Sequence, residues 1–550
     1  HNGRRRQRQM CIRDSYLSGS WWFPALLIGT GIFFTVYLGF PQFRYFSLGW
    51  KIVSGKYKQS EGKGETTPFQ ALTTAMSGAV GTGNIGGVAL AIWVGGPAAI
   101  FWMWITAIFG MTTKFVEVTL AHKYRTTISD GSISGGPMYY IEQGLNLKWV
   151  AVLFSLLMMV TAIGSGNMPQ INNIANVMDT EFNVPKLFTG LFLGVLLWII
   201  IIGGITRIAA VASRIIPIMG LIYFGGALII LIENYQNIIP SFNSIFSQVF
   251  TGSAATGGFL GATFAMSLKY GVARGLYSNE AGQGSSPIAH ASSKTEKSIE
   301  QGIVSILEPF IDTIVVCSVT ALVILSSGVW TEKFENDFDR SSMVFIDGSY
   351  SENIESELNE LARFVQNESS TIVRFSGEIK VTNGEMIPSG FTLIHKRSIA
   401  ENVLIYDDQD LLFNGTFSVS DGFLEDRLRF RGLSLIDSAE LTAKAFSQGV
   451  LGESGGKLVA IALLLFAFST AIAWCYYGDR STAYIFGERG VFWYRNIYVV
   501  FFMLAAVIDT EIVWNIAYVS VALVAIPNLI ALFVLRKEMY SLSNEFDKSR

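Results

Sequence analysis

Charge is what this 550-residue chain has least of. Only 15% of its residues are Asp, Glu, Lys or Arg, against roughly a quarter in a soluble domain. The net charge of −3 lacks the basic surplus of a nucleic-acid binder. Cysteine is scarce too. Cys11, Cys317 and Cys475 cannot build a disulfide framework, and the latter two sit in apolar runs where a thiol packs as a small hydrophobe. The histidines, among them His122, His290 and His395, show no ligand spacing, so no transition-metal centre is expected. Ten-residue stretches of alternating hydrophobicity are missing, which excludes an outer-membrane barrel.

What remains is apolar. Half the residues are hydrophobic, with 40 Phe, 20 Tyr, 12 Trp and 54 Gly. Many runs approach the ~20 residues that carry a helix across ~30 Å of hydrocarbon. These features predict an all-α polytopic membrane protein embedded in a lipid bilayer. Eleven transmembrane helices are expected, at about 20–40, 69–96, 98–121, 148–167, 186–204, 214–233, 256–277, 301–328, 457–478, 492–509 and 512–535. Every second connection is basic (Lys51 and Lys56; Lys123 and Arg125; Arg207 and Arg214; Lys294 and Lys297; Arg480 and Arg489). Lys and Arg stay cytoplasmic, so the N-terminus is expected outside and the C-terminus inside, as an odd number of crossings requires.

Two segments stand apart. Residues 1–15, starting at His1 and holding Arg4, Arg5, Arg6 and Arg8, read as a non-native leader without the h-region of a signal peptide. Residues 331–436 hold 19 Asp and Glu against 10 Lys and Arg, and follow the eighth span on the outer side. Ser351 to Phe364 reads as a helix. Short β segments follow at Thr371–Phe375, Phe391–Ile394, Asn402–Tyr406 and Phe417–Val419, punctuated by Asn383-Gly384 and Asn414-Gly415. A small extracytoplasmic β-rich insertion domain is expected, serving as a spacer or a partner-docking module. The transmembrane part is thus split into 16–330 and 437–540, with a cytoplasmic tail at 541–550.

The second span carries glycines 78, 81, 83, 86 and 87 within ten residues, with Asn84 among them. Glycine costs up to ~1 kcal/mol against alanine inside a helix. One reading is close helix packing through small residues. The other is a discontinuous helix whose freed N–H and C=O groups bind an anion and a cation, as in secondary transporters. The seventh span is interrupted by Gly257, Gly258, Gly261 and Gly271, then followed by Ser278-Asn-Glu-Ala-Gly. Interruptions five spans apart point to a repeat of five plus five helices, with the first span an appendage.

At these residues the chain resembles a known family. Ala79-Val-Gly-Thr-Gly-Asn-Ile-Gly-Gly, Gly110-Met-Thr-Thr-Lys-Phe-Val-Glu, Gly135-Gly-Pro-Met-Tyr-Tyr-Ile, Gly271-Val-Ala-Arg-Gly-Leu-Tyr-Ser-Asn-Glu-Ala-Gly and Phe466-Ala-Phe-Ser-Thr-Ala-Ile-Ala-Trp are similar to the alanine/glycine:cation symporters. The resemblance covers roughly 20–330 and 437–540, and residues 331–436 fall outside it. It implies a LeuT-type fold, with ten of the helices forming a 5+5 inverted repeat. It also implies import of alanine or glycine by sodium symport through alternating access, in a bacterial inner membrane. No organic cofactor is implied; sodium is the coupling ion.

By the same resemblance, the backbone N–H groups of Thr82 and Gly83 hold the substrate carboxylate. Ser77, Val80 and Phe466 offer carbonyls, and Ser469 and Thr470 hydroxyls, to a sodium ion. A second cation position lies near Ala79 and Asn84. Without the resemblance, Ser469 and Thr470 read as hydroxyls bonded to a carbonyl one turn earlier. Gln170 and Trp474 are expected to wall the substrate pocket or to be ordinary packing residues, with Phe264 and Met266 near the second break. Glu308 and Asp312, spaced i, i+4, are expected on one helix face. Lys114 with Glu117, and Arg274 with Glu280, are expected as gate or helix-end ion pairs. Proton-coupled uptake on the same scaffold and a transporter-derived sensor are the competing readings. An enzyme is disfavoured, because no nucleophile–base or metal constellation lies in the spans.

Overall fold

The computed structural model describes residues 22–57, 62–128, 131–366, 370–387, 390–508 and 510–549; the expected leader at 1–15 lies outside them. Helices dominate. The first described helix is α1 (Trp22–Tyr37). After two short helices, Pro41–Arg44 and Phe46–Val53, comes α2 (Pro68–Ala79), started by a reciprocal cap in which Thr67 Oγ1 accepts from the Gln70 N–H and Gln70 Oε1 from the Thr67 N–H, with Pro68 at the first turn. Then follow α3 (Val88–Gly95), α4 (Ala98–Lys123), α5 (Lys148–Gly164), α6 (Met168–Phe182), α7 (Lys186–Ile201), α8 (Gly204–Glu233), α9 (Tyr235–Ser247), α10 (Phe264–Asn279), α11 (Ser286–His290) and α12 (Ser298–Ser327). Beyond the insertion come α13 (Ser438–Phe446), α14 (Glu453–Phe486), α15 (Glu488–Ala505), α16 (Thr510–Val534) and α17 (Arg536–Ser549).

Six helices among the described residues are long and apolar enough to span a membrane, and seven if the bent pair α2–α3 counts as one crossing. Eleven spans are expected from the sequence, and the segments beyond these seven form shorter, broken or more polar helices. α1 and α7 are apolar but have 16 residues each. α15 begins with Glu488 and Arg489 and carries Arg495, which dilutes its hydropathy. The largest departure is at 256–277. Helix forms only from Phe264, because Gly252, Gly257 and Gly261 take φ of 78°, 55° and 79°, a left-handed conformation that interrupts any helix. Residues 253–262 instead fold back on themselves through bridges Ser253–Ala262 and Thr256–Phe259.

α14 is the most enclosed long helix and α8 the least. α14 contacts α5, α6, α8 and α2, so the C-terminal part threads between elements from the first half of the chain. α7 turns Leu187, Phe188, Leu191, Phe192 and Val195 outward, an apolar exterior suited to lipid. The chain is a multi-pass membrane protein.

The insertion is β-rich, as its turn signals imply. Its strands are β1 (Phe334–Asp337), β2 (Met343–Asp347), β3 (Gly377–Thr382), β4 (Glu385–Met386), β5 (Phe391–His395), β6 (Ser398–Ile399), β7 (Glu401–Tyr406), β8 (Gly415–Ser420), β9 (Phe423–Leu424) and β10 (Arg429–Ser434), with one helix at Glu355–Val365. Seven strands run in the order β9-β8-β3-β4-β7-β10-β1 and three in the order β2-β5-β6, every pair antiparallel. Phe345, Ile379, Ile405, Phe417 and Phe430 fill the core. Asn383-Gly384 turns β3 into β4, while Thr371–Phe375 contributes a single bridge, Ile346–Arg374, rather than the expected strand.

Candidate substrate and cation site

The helix interrupted by glycines is broken. α2 ends at Ala79, Val80 is extended with ψ 92°, a π-turn occupies Gly83–Gly87, and α3 leaves at 57° to α2. The break leaves N–H and C=O groups unused by helix bonding, and side chains take them up. Asn84 Oδ1 accepts the Gly81 N–H at 2.9 Å, and Gln170 Oε1 accepts the Thr82 N–H at 3.4 Å. Asn84 Nδ2 donates to Asp312 Oδ1 at 2.6 Å, and Ser278 Oγ donates to Asp312 Oδ2 at 2.5 Å. Asn84 thereby ties the break to α10 and α12.

α14 lies against this break. Thr470 Oγ1 donates to Val80 O at 3.3 Å and to Phe466 O at 3.0 Å, Ser469 Oγ donates to Phe466 O at 2.9 Å, and Ser77 Oγ donates to Ser469 O at 3.1 Å. The ordinary back-bond to a carbonyl one turn earlier is thus made by both hydroxyls. Thr470 alone adds a reach across to the broken helix. Ser77, Ala79, Val80, Phe466, Ser469 and Thr470 are all buried, and their oxygens are the hard donors a small monovalent cation takes.

Beside them is a cavity lined by Ala79, Thr82, Gly83, Gln170, Glu280 and Trp474, among others, with room for about one water. Its walls must part to admit any solute larger than water. Trp474 approaches closely enough that a Cβ at Gly166 would come within 2.1 Å of its ring. Its Nε1 donates to Gly78 O at 3.2 Å and to Glu280 Oε1 at 3.0 Å. Thr82, Gly83, Gln170 and Trp474 are therefore together, and Asn84 stands just behind them. Phe264 and Met266 are not with them. They open α10, one turn-rich loop away from α9, where Phe264 packs on Trp102 and Phe250 and Met266 on the Phe259 cluster. The break associated with α10 is at its other end, over 280–285.

The charged residues depart from the expected pairs. Lys114 pairs with Glu308 at 2.9 Å and donates to Ser286 Oγ at 2.6 Å. Glu117 instead accepts the N–H groups of Gly282 and Gly284, at 3.2 and 3.0 Å, and Asn528 Nδ2 at 2.5 Å. Arg274 lies over the Tyr518 ring, 5.4 Å from its centroid, rather than on Glu280. Glu308 and Asp312 serve separate networks because a π-turn at Phe310–Val316 alters the helical register between them. Glu280 is buried against the cavity rather than paired with Arg274 at a helix end. Its position directly after Ser278-Asn279, where α10 stops, was the available signal.

Residues 8–356 and 429–550 match the sodium:alanine symporter family. Over 529 residues the chain is 34% identical to the sodium/alanine symporter AgcS of Methanococcus maripaludis, covering 96% of this chain and 94% of that one. It is 34% identical over 538 residues to an uncharacterized transporter of Haemophilus influenzae (97% and 94% covered), and 32% identical over 542 residues to the transporter YflA of Bacillus subtilis (98% and 94%). Among solved structures, a manganese transporter of Eremococcus coleocola aligns over 86% of this chain and 79% of its own, at TM-score 0.39 and 10% identity, too remote a likeness to bear on the fold. With the family match spanning both sides of the insertion and full-length relatives at this identity, the chain belongs to the sodium:alanine symporter family.

Proposed function

We propose that this protein imports alanine or glycine by symport with sodium, alternating access to a site between α2–α3, α10 and α14. Family membership carries the coarser statement, cation-coupled amino-acid transport across a membrane. The observation that supports the finer one is the bent α2–α3 helix meeting Ser469 and Thr470. In this reading the N–H groups of Thr82 and Gly83 take the carboxylate in place of Gln170 Oε1, since N-terminal helix amides suit an anion. The carbonyls of Val80 and Phe466 and the hydroxyls of Ser469 and Thr470 turn to sodium. Ten helices act as two inverted repeats of five about this site. The protein sits in a bacterial inner membrane, N-terminus outside and C-terminus in the cytoplasm, with the β-domain on the outer face as a spacer or docking module.

The test is uptake of labelled alanine by proteoliposomes under an inward sodium gradient, against potassium at fixed pH. Accumulation driven by sodium is expected. Accumulation that follows a proton gradient and ignores sodium transfers the coupling to protons. Alanine binding without accumulation under either gradient identifies a sensor.

A further inference from the structure

We propose that Glu280 is the residue that binds the substrate's ammonium group, and so restricts the cavity to amino acids over uncharged-amine and amine-free analogues. The inference rests on the symport reading above and deepens it. Glu280 is the charged residue among those lining the cavity beside the broken helix, and it is 5% exposed. Its bonded partners are neutral donors, Ser285 Oγ at 2.7 Å and Trp474 Nε1 at 3.0 Å. The nearby cation Lys114 is committed to Glu308 at 2.9 Å. A buried carboxylate held only by neutral donors is costly, and a cationic ligand offsets that cost.

Two further observations point to a ligand in the same cavity. Thr82 Oγ1, on a residue only 3% exposed, has no hydrogen-bond partner, although it lines the wall that carries the freed N–H groups. Glu280 itself takes φ 54° as it caps α10 through its N–H to Leu276 O at 3.1 Å. A left-handed conformation costs a residue with a Cβ roughly 1–2 kcal/mol, and glycine stands two positions further on. A carboxylate at such a position is explained by what the side chain does. The same cavity is lined by Thr82 and Gly83, whose N–H groups suit a carboxylate, and by Glu280, an acceptor suited to an ammonium. Those two opposite requirements in one cavity are what a zwitterion meets.

The experiment uses the full chain in lipid nanodiscs at saturating sodium. Alanine binding is measured directly, and propionate, which keeps the carboxylate and lacks the amine, is measured as a competitor. Sodium-induced thermal stabilisation is read in parallel. In the parent, alanine should bind far more tightly than propionate. In Glu280→Gln, losing a charge-assisted bond should weaken alanine by about 100-fold, leave propionate unchanged and keep the sodium stabilisation. Glu280→Asp should restore part of the discrimination, and decides the matter if the Gln variant does not fold. An unchanged alanine-to-propionate ratio in a folded variant overturns the proposal while leaving the symport reading intact. Loss of the sodium stabilisation with the ratio preserved also overturns it, and gives the carboxylate to the coupling ion. A parent that binds no small amino acid defeats both.

Discussion

Thr470 touches two carbonyls from different helices, Phe466 O on its own helix at 3.0 Å and Val80 O at the break at 3.3 Å. A hydroxyl that only relieved its own helix would need the first contact and not the second. If a cation takes its place among these oxygens, removing one ligand is worth about 1.4 kcal/mol, or tenfold. Thr470→Ala should therefore raise the half-saturating sodium concentration about tenfold in uptake assays, while alanine affinity at saturating sodium changes less than about threefold. Equal sodium activation of variant and parent would remove Thr470 from the cation site. Residue by residue, legibility in the sequence tracked backbone chemistry. The break at 80–82 could be read because glycine and asparagine are costly inside an apolar helix. The partners of Lys114, Glu117 and Glu280 could not, because spacing along one helix says nothing about which other helix brings a counter-charge. Lys114 and Glu308 are 194 positions apart and still pair at 2.9 Å.

Elements show the same division. α4, α8 and α14 were plain from their long apolar runs. The loop over 251–263 was legible only as an interruption marked by Gly257, Gly258 and Gly261; that the chain reverses there is seen in the positive φ of Gly252, Gly257 and Gly261 and in the bridges across it. This loop receives the tip of the β5–β6 hairpin. Arg397 Nη2 donates to Gly261 O at 2.7 Å, and Trp93 Nε1 on α3 donates to Lys396 O at 3.0 Å. At the base of that tip, His395 is fully buried, stacked 4.0 Å from Phe338 and bonded through Nδ1 to Ser434 Oγ at 2.7 Å. Burial, with Lys396 adjoining, pushes its pKa down from 6.5 to about 3. The folded domain keeps this imidazole neutral, whereas the opened chain binds the proton below 6.5. The stability His395 contributes is thus complete above pH 6.5 and is lost as pH falls toward 3, by about 1.4 kcal/mol per unit. Hydrogen exchange over β2 and β5 in the full chain, corrected for intrinsic rate, should accelerate about tenfold from pH 6 to pH 5. A His395→Leu variant should be flat across that interval. A parent as flat as the variant would show that the ring is protonated in place.

At the scale of the whole molecule, the chain enters and leaves the β-domain on two neighbouring strands. β1 and β10 pair antiparallel, with Asn336 opposite Gly432 and Asp337 opposite Arg431, and the Phe338 N–H donates to Phe430 O at 2.8 Å. The chain leaves for the domain and returns from it side by side, and the family match itself lapses over 357–428. Removing 339–429 and joining 338 to 430 by an Asn-Gly turn, which suits a two-residue hairpin, should close β1 onto β10 without displacing α12 or α13. The site residues of α2, α6, α10 and α14 make their bonds to one another rather than to the domain. The shortened protein should therefore keep alanine affinity within about threefold at saturating sodium, a change below 1 kcal/mol. Its thermal stability should fall, because Trp93 and Gly261 lose the hydrogen bonds made with Lys396 and Arg397. Charge moves the opposite way to mass. The excised region is strongly acidic, and the remaining chain is net positive, so in the proposed orientation, with the domain on the outer face, the outer approach to the site loses its negative field. A cation concentrated by that field should show a raised half-saturating sodium concentration at low ionic strength, and the difference from the parent should vanish as ionic strength rises at fixed sodium. Loss of alanine binding by a folded deletion variant would instead make the domain part of the site.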